Sequence, residues 1–270
     1  MTYYTSLTGM RNAQTELNTI SNNLANAETT GFKKSSVNFA DIVAGSTYMN
    51  AKNELGLGSS VKSITQNFAS GPMQNTGSAL DLAINGNGFF TLLNSATNQV
   101  LYTRNGNFST DGSGNIKDAD GNNVQVLAYN STSGTFGTTP TNGVIPPTNS
   151  AGANYTAVTV NSDGSIVASY ADGSNTTVGK VALASFVSPT GLLQVGNQQW
   201  QTSGLSGPPT YSAPSADGTG TILSGELEMS NVDTASEMVG LITAQRYFQA
   251  NAKAIDANTQ ISDAVINLRA

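Results

Sequence analysis

The sequence predicts an α+β protein in which long N- and C-terminal α-helices form a coiled-coil-like core domain and a central all-β domain lies between them. Three observations predict it. Apolar residues recur at heptad spacing in residues 1–30 and again in residues 231–270. Between these ends the apolar period shortens, in short runs rich in β-branched and aromatic residues. Asp-Gly pairs, the chemistry of hairpin turns, separate the runs.

At the N-terminus Tyr3, Met10, Leu17 and Leu24 stand seven residues apart, and Ser6, Ala13, Ile20 and Ala27 follow each of them by three. One helix of about 24 residues, ~36 Å long, accounts for the pattern. Arg11, Gln14, Glu16, Asn22 and Asn23 fall mostly off the seam, and Gly31 is the expected stop. Residues 31–75, with Gly56, Gly58 and Gly71-Pro72, read as an extended connector. Residues 76–130 and 155–230 read as the β-domain. Its strands are expected near Leu80–Ile84, Phe89–Leu93, Val100–Thr103, Val124–Tyr129, Ala157–Val160, Ser165–Tyr170, Thr176–Val178 and Val181–Phe186. Turns are expected at Asp111-Gly112, Asp120-Gly121, Asp163-Gly164 and Asp172-Gly173. Residues 131–154, with three Pro and much Gly, Thr and Asn, read as a surface loop.

From Thr234 to Leu268 there is no Pro and one Gly, with Leu241, Phe248 and Ile255 at heptad spacing and Ala244, Ala252, Val265 and Leu268 on or beside that stripe. A helix of ~35 residues, ~50 Å long, is expected. Asp233 or Thr234 caps its start and Glu237 suits the positive end of the helix dipole. Asn251, Asn258, Thr259 and Ser262 interrupt the stripe; polar seam residues set register or line water. Two long seams at opposite ends of one chain need a partner, either each other or other copies. The candidate assembly seam is Tyr3, Met10, Leu17, Ile20 and Leu24 with Leu241, Phe248, Ala252, Ile255 and Val265.

Charged residues are only 10% of the chain, against ~25% in an ordinary soluble domain. Thirty Asn, with many Ser, Thr and Gln, replace them, and the balance is −6. Only Lys33 and Lys34 are adjacent cations, so no nucleic-acid footprint is expected. The chain has no Cys and no His. Thiolate nucleophiles, disulfides, the usual zinc sites and imidazole relays are thereby excluded. Neither a cleavable secretory signal nor a membrane span is expected.

Asp118, Asp120 and Asn122 alternate as calcium ligands do, but Gly121 comes too early and no Glu closes the frame, so a hairpin turn explains them better. Gly86-Asn87-Gly88 opens like a dinucleotide fingerprint, yet Thr91 stands where the third Gly belongs and Phe89-Phe90 continue a strand. A tight turn is expected. Glu226 and Glu228 alternate on one strand face as an acid–base pair would, but without a cleft nearby they read as solvated edge carboxylates. No catalytic, cofactor or metal residue is expected, and the protein is read as no enzyme.

Three clusters resemble one family. Ser21 to Asn26, containing Asn22, Asn23 and Asn26, followed by Thr30, Gly31, Phe32 and Lys33, is similar to the amino-terminal signature of the bacterial flagellar rod and hook axial proteins. The run Thr76 to Phe90, with Leu80, Asp81, Gly86, Gly88, Phe89 and Phe90, and then Tyr102 to Phe108, resembles their β-domain motif. Gly225 to Glu228, Ser230-Asn231-Val232-Asp233, Glu237-Met238-Val239 and Gln245-Arg246 to Asn251 resemble their closing helix.

Within that family the stretches Tyr4 to Met10, Ser63 to Phe68 and Gln249 to Ala252 look most like the hook type. The resemblance implies a flexible hollow helical homopolymer that joins rod to filament and transmits motor torque. It implies subunits exported unfolded by the flagellar type III apparatus to an extracellular hook, without a cleaved signal. Distal rod and hook–filament junction proteins and a hook cap are the implied partners; no cofactor, nucleic acid or membrane insertion is implied. Residues 131–154 stand where hook proteins carry a larger outer domain, and that shortness fits the alternative, a distal rod subunit of the basal body. A carbohydrate-active or adhesive surface β-protein is the reading from other classes.

Overall fold

The computed structural model describes residues 2–43, 56–130 and 134–267. The architecture is α+β, and the chain divides into two compact units. One holds Met1–Ala27, Lys34–Asn67 and Val232–Ala270; the other holds Glu28–Lys33 and Phe68–Asn231. Among the described residues no helix is long and apolar enough to cross a membrane.

The helical unit is built from α1 (Thr2–Ala25), α2 (Thr234–Asn267) and an antiparallel hairpin of β1 (Ser35–Val43) and β2 (Gly56–Gln66). Asp233 is the cap of α2: its Oδ1 accepts from the Ala235 and Ser236 amides at 3.0 and 3.4 Å. The carboxylate satisfies first-turn amides that no helical carbonyl can reach. α1 ends at Ala25 and not at Gly31. Gly31 instead has φ +71° in the other unit, where a Cβ would meet the Asn105 backbone nitrogen at 2.6 Å, so close backbone approach selects glycine there. Residues 44–55 of the expected connector, and Leu268, lie outside the described residues.

The β unit is an antiparallel sheet whose main path runs Tyr155–Val160, Ser165–Tyr170, Asn175–Val181, Asn123–Asn130, Phe89–Leu93, Val100–Thr103, Gln199–Gln201 and Leu193–Gly196. Strand alternation sends adjacent side chains to opposite faces. Phe90 therefore enters a cluster with Leu82, Leu92, Phe108, Ile166 and Leu183. Phe89 enters a second with Tyr102, Ala184 and Trp200, where its ring meets Phe68 and Trp200 edge-on at 5.3 and 5.8 Å. The paired phenylalanines thus serve two cores.

Three expectations are corrected here. Within 131–154, expected as loop, Thr135–Asn142 is a strand paired to Asn123–Asn130. It has no second neighbour on the main path, and Pro140 follows a break in register, the setting in which a strand tolerates proline. The run expected at Thr176–Val178 extends over Asn175–Val181, and the next strand is only Leu183–Ser185. At the turn beginning with Asp111, Gly114 takes the positive φ of 85°, while the Asp111 carboxylate accepts from the Ser113 and Asn115 amides. Gly86 and Gly88 both have positive φ, 123° and 125°, backbone that favours glycine, and Gly86-Asn87 form a bend between strands that do not pair with each other, where a tight turn was expected.

Candidate functional site

Within the helical unit α1 and α2 run antiparallel. A Cβ on Gly9 would meet Asn251, a Cβ on Gly240 would meet Ile20, and Asn23 hydrogen-bonds Glu237, so one residue number falls as the other rises by the same amount. The positions of α2 that are not exposed up to Asn258 are Glu237, Gly240, Leu241, Ala244, Phe248, Asn251, Ala252, Ile255 and Asn258. That is alternating three- and four-residue spacing, the stripe of a helix packed on another helix. Gly9 and Gly240 let the two backbones approach at positions where a methyl group would collide or crowd.

A polar clasp ties all three elements together. Asn23 is buried; its Oδ1 accepts from the Ser35 amide at 2.9 Å, and its Nδ2 donates to the Ser35 carbonyl at 2.8 Å and to Glu237 Oε2 at 3.1 Å. Lys34 on the run into β1 pairs with Glu237 Oε1 at 2.5 Å. Glu237, expected to serve the helix dipole, is buried and joins α2 to both α1 and the hairpin. On the other flank Asn12 Nδ2 donates to Ser59 Oγ at 2.7 Å.

Above α1 these walls leave two recesses. One recess of about 260 Å³ lies over Gly9, Asn12, Ala13 and Glu16, between Phe39 and Ser59 of the hairpin and Tyr247 and Asn251 of α2. A second, about 240 Å³, lies over Glu16, Thr19, Ile20 and Asn23, between residues 34–37 and Ser236, Glu237 and Gly240. They share Glu16 as a lining residue, one lying over Gly9–Glu16 and the other over Glu16–Asn23 of α1.

The β unit contains a buried charge cluster that corrects the reading of Glu228. Glu228 is fully buried, not a solvated edge carboxylate. Its Oε1 takes the Lys33 ammonium at 2.6 Å and the Gly71 amide at 2.9 Å, and its Oε2 takes Arg104 Nη1 at 3.3 Å. Lys33 also donates to the Ala69 carbonyl and Arg104 Nη2 to the Gly86 carbonyl, at 2.8 and 2.9 Å. Burial pushes both cations below their ordinary pKa, and Glu228 opposes the shift. Arg104 Nε has no hydrogen-bond partner, but the guanidinium carbon lies 5.2 Å from the centre of the Phe89 ring. The strand period alone cannot show that Glu228 meets a lysine 195 residues away. The available signal is that each charge is conspicuous in so weakly charged a chain.

Of the candidate seam, Ile20 is buried; Met10, Leu17, Leu24, Leu241, Phe248, Ala252 and Ile255 are half-buried; Tyr3 and Val265 are exposed. Of the motif residues, Asn23, Gly31, Phe32, Asp81, Gly88, Phe89 and Phe90 are buried, while Asn22, Gly86, Gln245 and Arg246 are exposed. Asn26 and Leu80 lie between these extremes, as does Asn231, which donates to the Ala69 carbonyl at 3.0 Å. The Asp118 carboxylate closes its own turn on the Asp120 and Asn122 amides, and Gln199 donates to both Asp118 and Asp120. Among the described residues no group of three or more carboxylates is placed to hold a metal ion.

A chain order of terminal helix, β unit and terminal helix, carrying the three motif clusters in sequence, defines an axial flagellar protein, and the chain belongs to the flagellar rod and hook family. Residues 4–33 match the flagella basal body rod protein family, residues 83–168 the D1 domain of the flagellar hook proteins FlgE/F/G, and residues 223–268 the C-terminal region of the flagellar basal body rod proteins FlgEFG. The chain is 36% identical over 280 aligned positions to the flagellar basal-body rod protein FlgG of Bacillus subtilis, covering 98% of both chains. It is 34% identical to FlgG of Caulobacter vibrioides, again over 98% of both. To the flagellar hook protein FlgE of Escherichia coli it is 26% identical over 410 positions, covering 100% of each chain.

Proposed function

We propose that this chain is a subunit of the distal flagellar rod, polymerising through its terminal helices into a hollow shaft that carries torque through the periplasm. One observation carries the choice of rod over the hook that the terminal motifs suggested. Alignment to the rod proteins runs end to end at 36% identity, whereas alignment to the hook protein stretches to 410 positions against 270 residues and leaves 140 of them with no residue of this chain. The short stretch at 131–154, which forms an edge strand and no added domain, supports the same reading.

In this reading the α1–α2 pair is a coiled-coil-like core that neighbouring copies bury further. The partners are other copies, the adjoining rod and hook proteins and the type III export apparatus. Gold-labelled antibody against the chain, applied to isolated hook–basal bodies opened by mild acid, tests the placement. Label on the rod segment is expected. Label along the hook would overturn the rod reading in favour of a hook subunit.

A further inference from the structure

We infer that the recess beside Arg104 in the β unit is a binding site for an aromatic carboxylate, a single ring carrying a short acidic tail. The recess measures about 320 Å³ and lies wholly within that unit. Phe68, Phe89, Phe186 and Pro189 give it apolar walls, and Arg104 and Asn87 add polar donors. A cavity of about 150 Å³ already admits benzene, so this one has room for a ring and a tail. Its phenylalanines meet edge to face, Phe68 on Phe89 at 5.3 Å and Phe89 on Phe186 at 5.7 Å, an arrangement that a further ring extends.

The acidic tail follows from the charge cluster behind the wall. Arg104 is 2% exposed; Nη1 and Nη2 are engaged by Glu228 and the Gly86 carbonyl, and Nε has no acceptor. A buried donor without an acceptor is unfavourable, and more so in a charged group. Among the described residues Glu228 is the only carboxylate within ion-pair distance of Arg104 or Lys33, so two cations share one anion and the cluster keeps a net charge of +1. A carboxylate in the recess accepts from the Nε hydrogen and brings the cluster to neutrality in one contact. A neutral ligand supplies only the first of these, and a ligand without a ring leaves the aromatic walls uncovered. Phe89 joins the two halves of the site: its ring lines the recess and its centre lies 5.2 Å from the guanidinium carbon, so a ring packed on Phe89 sets its tail beside the cation. The site involves neither terminal helix and holds whether the chain builds rod or hook.

Trp200 makes the test direct, since it is the one tryptophan and its ring lies 5.5 Å from Phe68 and 5.8 Å from Phe89. Phenylacetate and phenylacetamide, alike in shape and different in charge, are titrated into the full chain, with Trp200 emission and calorimetry as readouts. Phenylacetate should bind about tenfold tighter than the amide or better. Lys33 does not line the recess, and Lys33→Met takes the cluster to zero net charge, so it should weaken the acid about tenfold while sparing the amide. Asn87→Asp, an isosteric exchange at an exposed residue of the wall, should act in the same direction, and it serves where Lys33→Met does not fold. Equal binding of acid and amide, no binding of either at millimolar concentration, or wild-type affinity for the acid in a folded variant overturns the inference. The peptide N-acetyl-Gly-Phe, with its end free or amidated, separates the sources of such a group. Binding of phenylacetate alone assigns the site to small free acids; binding of the free-ended peptide as well assigns it to a chain that finishes in an aromatic residue.

Discussion

Replacing Glu228 with Gln should be the most damaging single polar change in the β unit. The wild-type cluster holds two cations and one anion, all buried. Glu228→Gln leaves Lys33 and Arg104 facing each other without a counter-charge. Breaking a buried pair by removing one partner costs about 3–5 kcal/mol. Lys33→Met instead leaves Arg104 paired with Glu228 and a cluster of zero net charge, so it should cost less. For a unit of this size each kcal/mol moves the midpoint of thermal unfolding by about 2–4 °C, so Glu228→Gln should lower it by about 6–20 °C. Trp200, the one tryptophan, is buried in the aromatic cluster of the same unit, and its fluorescence reports this unit's unfolding. A midpoint within about 2 °C of wild type, or a greater loss for Lys33→Met than for Glu228→Gln, would refute the argument from buried charge.

Asn23→Ala leaves the Ser35 amide and one Glu237 contact without a partner, and should cost about 2–3 kcal/mol in urea unfolding followed by helical circular dichroism; a loss below about 0.5 kcal/mol would show that water replaces the side chain freely. Leu241→Asp and Phe248→Asp put a charge on the half-buried stripe of α2 and should abolish assembly in sedimentation while Trp200 keeps its buried emission; normal tubes from either would remove the stripe from the assembly account. Asp111, Asp163 and Asp172 have pKa values held below the ordinary carboxylate range, chiefly by the Lys117 side chain at Asp111 and by the Ser165 and Ser174 hydroxyls at the other two. The unfolded chain therefore binds these protons more readily; the stability is present above the unfolded carboxylate pKa of ~3.9 and lost as pH falls through the lower folded values. The Trp200 midpoint should fall between pH 5 and pH 2, and the triple Asn variant should flatten that slope; an unchanged slope contradicts the assignment.

Helices and hairpins were legible because their signals are local. A heptad stripe free of proline marks α2 almost to the residue, and Asp163-Gly164 announces the turn before Ser165–Tyr170 without reference to anything distant. Thr135–Asn142 was hidden because Pro140 signals a loop wherever a second neighbour is assumed, and only the sheet's topology shows that this strand lacks one. The clasp was half-visible. Asn23 belongs to the amino-terminal motif but falls off the heptad seam, and Ser35 and Glu237, its partners, are twelve and 214 residues away and are brought to it by tertiary folding. Glu228 misled for the same reason: alternation tells which side of a strand a carboxylate occupies, not whether Lys33 and Arg104 wait there.

The most direct test of the central claim is a density map of the rod in isolated hook–basal bodies from cells that produce this chain, at a resolution that shows side chains. The account predicts that the distal rod segment is built from copies of this chain, with each α1–α2 pair in the antiparallel register that sets Ile20 against Gly240. Density in which this sequence builds the hook and another chain fills the distal rod would contradict it.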